Sequence, residues 1–231
     1  MIALLLLTTA DPVLARLQEA PYTEGPRCPF TVDMVFASGE ENESTRLLID
    51  PADGKAVVID EDGNPVEGPE GDEQSTEEPE PRDEGEDDGQ SVSMGAIKYE
   101  ELRSLFALPF ERTGEADGLV TFTLNDLPNG TVELAEKDLS NRSQIELTVA
   151  EGGDMPYLAA YRETLLKPVR MKVVARIKAY EREASFELFE GAPRTVSEAM
   201  KASISIMGKP QEMAFNMTYD YPDCPEEEVA R

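Results

Sequence analysis

Residues 196–221 read VSEAMKASISIMGKPQEMAFNMTYDY, and the rhythm of this stretch decides the fold. Met213, Phe215, Met217, Tyr219 and Tyr221 alternate with Glu212, Ala214, Asn216, Thr218 and Asp220. Successive side chains of a strand point to opposite faces, so a period of two with one apolar set describes a strand buried on one side. Upstream, Val196, Met200, Ala202, Ile204 and Ile206 keep the same rhythm, with Glu198 as the exception among them. Gly208-Lys-Pro210 is expected to turn the chain between the two runs and make a long β-hairpin.

The same alternation extends outward from this hairpin. Val120, Phe122 and Leu124 form one set, Pro128-Asn-Gly130 a turn, and Val132 and Leu134 a continuation. Ile145, Leu147 and Val149 alternate with Gln144, Glu146 and Thr148 until Gly152-Gly153 ends the run. Near the start, Phe30, Val32, Met34 and Phe36 predict a strand, as do Arg46–Asp50 and Lys55–Ile59. Ser93 is expected to cap a helix from about Ala96 to Ala107, with Ile97, Leu102, Leu105 and Phe106 on its apolar side. Met155–Leu166 (MPYLAAYRETLL) reads as helical or irregular. One-sided strands need a helix or a second layer over their apolar face. The expected fold is mainly β (α+β): a curved antiparallel sheet or half-barrel with one or two short helices packed on it.

One stretch stands apart in composition. Between Glu67 and Asp88 there are twelve acidic residues, a single basic one (Arg82), and no apolar side chain beyond proline. Such a segment buries too little surface to offset its conformational entropy, so residues 67–92 are expected to be a disordered acidic insertion in a loop, a domain linker being the other reading. A single β-rich domain over residues 28–224 accounts for the rest, followed by a tail at 225–231. Met1-Ile-Ala-Leu-Leu-Leu-Leu-Thr-Thr-Ala10 is short for a membrane span and suits a secretory h-region, although no Lys or Arg precedes it. Residues 1–15 are thus expected to be a signal peptide with small residues at Ala10 or Ala15, and 16–27 a polar leader; a buried N-terminal helix is the alternative. Cys28 and Cys224 bracket the domain, and in an oxidising compartment they are expected to form one disulfide. The location that follows is periplasmic or secreted.

With 48 acidic against 21 basic residues, the formal net charge is −27. This balance disfavours nucleic acid, and none is expected as a partner, because phosphate backbones call for clustered cations. No transmembrane segment is expected once the signal is removed. Histidine is absent, which removes the commonest general base and metal ligand. Asp50-Pro-Ala-Asp-Gly54 and Asp60-Glu-Asp-Gly-Asn64 lack the ligand spacing of a calcium loop. No phosphate-cradling glycine loop or nucleophile elbow occurs, so the expectation is a non-enzymatic protein with no cofactor, no metal and no catalytic residue.

Against this acidity, residues 162–182 carry seven basic residues and two acidic ones. Read as a strand, the segment places Val169, Met171, Val173, Ala175, Ile177 and Ala179 on one face and cations on the other, with a phase flip near Glu181-Arg-Glu183; a helix is the alternative. Arg170, Lys172, Arg176, Lys178 and Arg182 form the candidate ligand-binding strip, suited to an anionic group. A sheet face kept soluble by its cations and a cover of the strip by the acidic insertion are the competing readings. Met34, Met171, Met200, Met213 and Met217 all fall on apolar strand faces, where methionine serves as core filler or as an adaptable surface for an acyl chain.

Arg46-Leu-Leu-Ile-Asp-Pro51, Val57-Val-Ile-Asp-Glu-Asp-Gly-Asn-Pro65, Lys167-Pro-Val-Arg-Met171 and Ala175-Arg-Ile-Lys178 together resemble a group of uncharacterised envelope proteins of Gram-negative bacteria. In pattern, over most of residues 30–221, the paired long strands resemble more distantly the half-barrel of outer-membrane lipoprotein carriers. That resemblance implies a curved sheet around a helix and an apolar cavity for acyl chains, and it transfers no site residue. The partners it implies are a lipid or another anionic ligand. A protein of the envelope, held by the acidic loop and basic strand, is the alternative.

Overall fold

The computed structural model describes residues 11–20, 28–39, 41–52, 55–66, 97, 99–134, 137–151, 155–172, 174–189 and 192–221. Helix α1 spans Pro12–Glu19, and strands β1 (Phe30–Ser38), β2 (Glu41–Asp50) and β3 (Lys55–Ile59) follow. A single helical turn, α2 (Tyr99–Leu102), runs into a 3-10 turn at Arg103–Ala107. The remaining strands are β4 (Glu111–Ala116), β5 (Leu119–Leu124), β6 (Glu133–Leu134), β7 (Lys137–Asp138), β8 (Ser143–Ala150), β9 (Tyr157–Leu165), β10 (Val169–Lys172), β11 (Ala175–Phe189), β12 (Ala192–Ile206) and β13 (Lys209–Asp220).

The mainly β architecture expected from the period-two runs is present as one large antiparallel sheet that does not close into a barrel. Its order is β3-β2-β1-β13-β12-β11-β9-β8-β5-β4, with β10 attached to β11 alone and β6-β7 forming a separate pair. Most neighbours are also sequence neighbours; β5–β8 and β9–β11 skip only short strands, whereas β1 pairs with β13 and brings the first and last described strands together. The 206–209 turn is tighter than the sequence suggests: Ile206 pairs with Lys209, and the two central residues, Met207 and Gly208, have φ of 49° and 83°. Two consecutive positive φ values match the right-handed twist of the flanking strands, and Asp117-Gly118 does the same between β4 and β5. Pro210 therefore lies within β13 rather than in the turn.

One face of the sheet carries the core. Val120 and Phe122 of β5, Ile145, Leu147 and Val149 of β8, and Leu158 of β9 are fully sealed. Over them lie Val13, Leu14 and Leu17 of α1, then Tyr99, Leu102 and Phe106, and the 127–139 segment through Leu127, Val132, Leu134 and Leu139. The ends of α1 are satisfied locally. Asp11 Oδ1 accepts the Val13 N–H at 2.8 Å, and Arg103 donates to the Gln18 and Ala20 carbonyls at 2.9 and 3.2 Å.

Several expectations are corrected. Met155–Leu166 is not helical: residues 157–165 are β9, paired with both β8 and β11. Of the helix expected over 96–107, the described residues form α2 and its 3-10 turn, with Ile97 outside those elements, and the expected cap at Ser93 lies outside the described residues. Helix α1, at residues 12–19, spans the expected boundary between signal peptide and leader and does not bear on either expectation. The phase flip of β11 falls at Lys178, between the pairs Ile177–Ile204 and Ala179–Ser203, and not at Glu181-Arg-Glu183. Residues 1–10, the acidic insertion at 67–92, Cys224 and the tail at 225–231 lie outside the described residues, and with them the expected signal core and the Cys28–Cys224 pairing. Cys28 itself is not a free thiol. Among the described residues, no helix is long and apolar enough to cross a membrane.

Candidate functional site

Two carboxylates occupy inward positions near the middle of the sheet. Glu163 of β9 stands opposite Arg182 of β11, and Glu198 of β12 stands opposite Ala184, the next inward residue along β11. Arg182 donates twice to Glu198 Oε1, from Nη2 at 2.6 Å and from Nε at 2.9 Å. Glu198 Oε2 accepts the Ile97 backbone N–H at 2.8 Å. Glu163 accepts the hydroxyls of Tyr161 at 2.5 Å and Tyr180 at 2.8 Å. Glu163 and Glu198 are 7% and 2% exposed, a depth at which a carboxylate is tolerated only when paired and hydrogen-bonded.

Burial pushes the Glu163 carboxyl above its ordinary range, against the lowering effect of the two tyrosine hydroxyls and Arg182. The same burial, and then the charge of Glu163, hold both Tyr161 and Tyr180 far above the usual phenol range. For Arg182 desolvation works against the cation, but the Glu198 carboxylate outweighs it and raises the guanidinium. Each carboxylate is engaged by groups of the fold itself, so the cluster is a tether that ties the elements carrying it together. It fixes the chain where residues 97–102 return to the sheet. Thr195 Oγ1 donates to the Ile97 carbonyl at 3.5 Å, and the Tyr99 hydroxyl accepts the Leu158 N–H at 3.0 Å.

The five residues of the expected basic strip do not share a face. Arg182 points inward into this tether. Arg170 and Arg176 stand directly opposite one another on the outward face of β10 and β11, and they line a depression of 200 Å³ with Lys178, Val174, Ala175 and Ser205. Lys172 pairs with Ala175 through the backbone. The bulge at Lys178 separates Arg182 from the others, since one extra residue exchanges the faces beyond it. The Glu198 interruption of an otherwise apolar run was the sequence signal for the tether; Glu163 gave none.

A second outward depression, of 260 Å³, crosses β8, β9, β11 and β12. The row Glu146–Arg162–Glu183 borders it, with Arg162 bonded to Glu183 at 2.9 Å and lying 3.5 Å from Glu181. Its floor is made of small side chains, including a Ser185–Ser197 hydroxyl pair at 2.6 Å. Among the described residues, no cluster of acidic or cysteine side chains is placed to hold a metal ion.

The inward face changes character beyond the tether. One cross-strand row runs Leu147, Tyr161, Ala184, Glu198, Met217, Met34. Its first members are sealed, whereas Met34 and the neighbouring Phe36, Leu47, Met213, Phe215 and Tyr219 are half-buried. Phe30, Val32 and Met217 form a small cluster of their own, with the Tyr219 ring stacked at 6.3 Å from Phe30 and the Tyr221 ring tilted at 5.2 Å. Burial raises the Tyr221 hydroxyl to about 12. This half of the sheet presents apolar side chains that the helices do not seal. The chain matches no family model, no curated protein and no solved structure.

Proposed function

We propose that the protein is an exported, non-enzymatic binding protein that holds an apolar ligand, of the acyl-chain class, against the open half of its inner sheet face. The observation that carries this reading is the half-buried set Met34, Phe36, Leu47, Met213, Phe215 and Tyr219 on β1, β2 and β13. Contiguous apolar surface left open on a sheet marks a binding surface, and methionine and aromatic side chains adapt to varied apolar partners. The apolar run before Ala10 supports export. An anionic head group beside this surface is not part of the proposal, because Arg170, Arg176 and Lys178 face the other way.

The test is titration of the purified chain with a fluorescent fatty-acid analogue, alongside native mass spectrometry of protein taken directly from an extract. Saturable fluorescence gain is expected, and Phe215→Gln should weaken it about tenfold, the equivalent of losing most of one buried aromatic contact. A lipid-free spectrum together with a flat titration would sink the reading.

A further inference from the structure

Two turns of this sheet share a backbone conformation and differ in chemistry. Asp117-Gly118 and Met207-Gly208 each close a hairpin with consecutive positive φ values, 51° and 76° in the first, 49° and 83° in the second. Asp and Asn tolerate this conformation because their short polar side chains bond locally, whereas a long apolar side chain is strained there. Met207 is also 78% exposed, so the core does not hold it in place. Neither the turn nor the packing accounts for a methionine at this position. It has apolar company, however. The Met207 N–H donates to the Val174 carbonyl at 2.8 Å, which sets the β10–β11 and β12–β13 turns side by side at one end of the sheet. Val174 and Ile206 are 50% and 38% exposed there. Cations stand directly behind this apolar tip: Lys209 pairs with Ile206, Ile206 pairs with Ala175, and Arg176 and Lys178 follow on β11, all three cations being exposed. Residues 164–180 and 199–211, which build this end, contain no acidic residue in a chain that has 48.

We propose that this tip docks on the surface of a bilayer containing anionic phospholipid, with Met207, Val174 and Ile206 entering the acyl boundary and Arg176, Lys178 and Lys209 lying among the head-group phosphates. An apolar patch rimmed by Lys and Arg suits that interface, because the long cationic side chains keep their charge at the level of the phosphates. The net charge of −27 does not oppose it at close range. The first acids met along β13, β11 and β12 are Glu212, Glu181 and Glu198, roughly 16, 23 and 26 Å from the tip at the rise of a strand. Screening acts over about 8 Å at physiological ionic strength, so the membrane meets the cations first. The proposal uses none of the side chains of the open apolar half, and either reading stands if the other fails. A sheet end merely kept soluble by its cations would make no use of Met207.

The experiment is flotation of the full chain with phosphatidylcholine vesicles containing phosphatidylglycerol, beside vesicles of phosphatidylcholine alone, at physiological ionic strength. Binding to the anionic vesicles is expected, and binding to the neutral ones should be about a hundredfold weaker, three cations at about fivefold each. Met207→Asn leaves the charge unchanged and installs a residue that this turn favours, so the fold is kept, while vesicle affinity should fall about tenfold. Arg176→Gln and Lys209→Gln should each weaken binding about fivefold, and Arg162→Gln, elsewhere on the sheet, should leave it unchanged. Phe215→Gln should also leave vesicle binding intact, just as Met207→Asn should leave the fatty-acid titration intact, so the two readings fail separately. No flotation with either vesicle, equal binding to both, full affinity in Met207→Asn, or loss of vesicle binding in Phe215→Gln would overturn the proposal.

Discussion

On β8, Ile145, Leu147 and Val149 are sealed from solvent, whereas Phe215 and Tyr219 hold the corresponding inward positions of β13 and stay half-buried. Both strands alternate cleanly, and both belong to one continuous sheet. The difference lies in what covers them: α1, the 99–107 turns and the 127–139 segment lie over the β5-β8-β9 side. Composition tracks the cover in part, with branched aliphatics outnumbering Phe122 and Tyr161 on the covered side and methionine and aromatic residues predominating on the open side. Alternation reports that a face is apolar, and it does not report whether the protein itself buries that face.

The sharpest way to break this contrast is a matched pair of truncations. Phe122→Ala removes a fully sealed ring and should cost about 3–5 kcal/mol in chemical denaturation. Phe215→Ala should cost only about 1 kcal/mol, in proportion to its partial burial. Equal losses would mean that the β13 side is as closed as the β8 side. A second pair compares charges across the two faces. Glu198→Ala strips the partner from a guanidinium in the tether and should cost about 3–5 kcal/mol, with faster hydrogen exchange at Ile97. Arg162→Ala breaks the exposed outward pair and should cost no more than about 1 kcal/mol.

The smallest expected effect concerns pH. The Glu163 carboxyl titrates above its unfolded value, so the folded state holds that proton more tightly. Its contribution to stability is complete below the unfolded value of 4.5 and is lost as pH rises through the higher folded value. Glu163→Gln removes this dependence. Thermal melts of the two proteins should therefore draw apart in the wild type's favour as the pH is lowered toward 4.5. Parallel melting curves over that window would show that Arg182 and the two tyrosines already compensate the buried charge in full.

How much of this was legible in the sequence differs between strands for identifiable reasons. β8 and β13 alternate without interruption, and so do the inward residues of β1. β9 was misread because Leu158 and Tyr161 are both buried at a spacing of three, a helical interval. The cause is a register shift: Thr148 pairs with Ala160 but Val149 pairs with Leu158, so one residue is extra. Glu163 then places a carboxylate where an apolar residue would have declared the strand. The same mechanism hid the site geometry. A bulge at Lys178 turns Arg182 inward, and the sequence offers no local mark that distinguishes an arginine facing water from one facing a buried glutamate. Bulges are set by pairing with partners far along the chain, which a pattern read locally does not contain.

The pairing of β1 with β13 has a temporal consequence. Eight residues of β1 find their ladder partners nearly two hundred positions later, so β1, β2 and β3 have no permanent place in the sheet until β13 has been made. Contacts of such long sequence separation slow folding and prolong the exposure of unpaired edges. A chain wired in this way leaves the edge of β1 open for as long as the intervening strands take to be made.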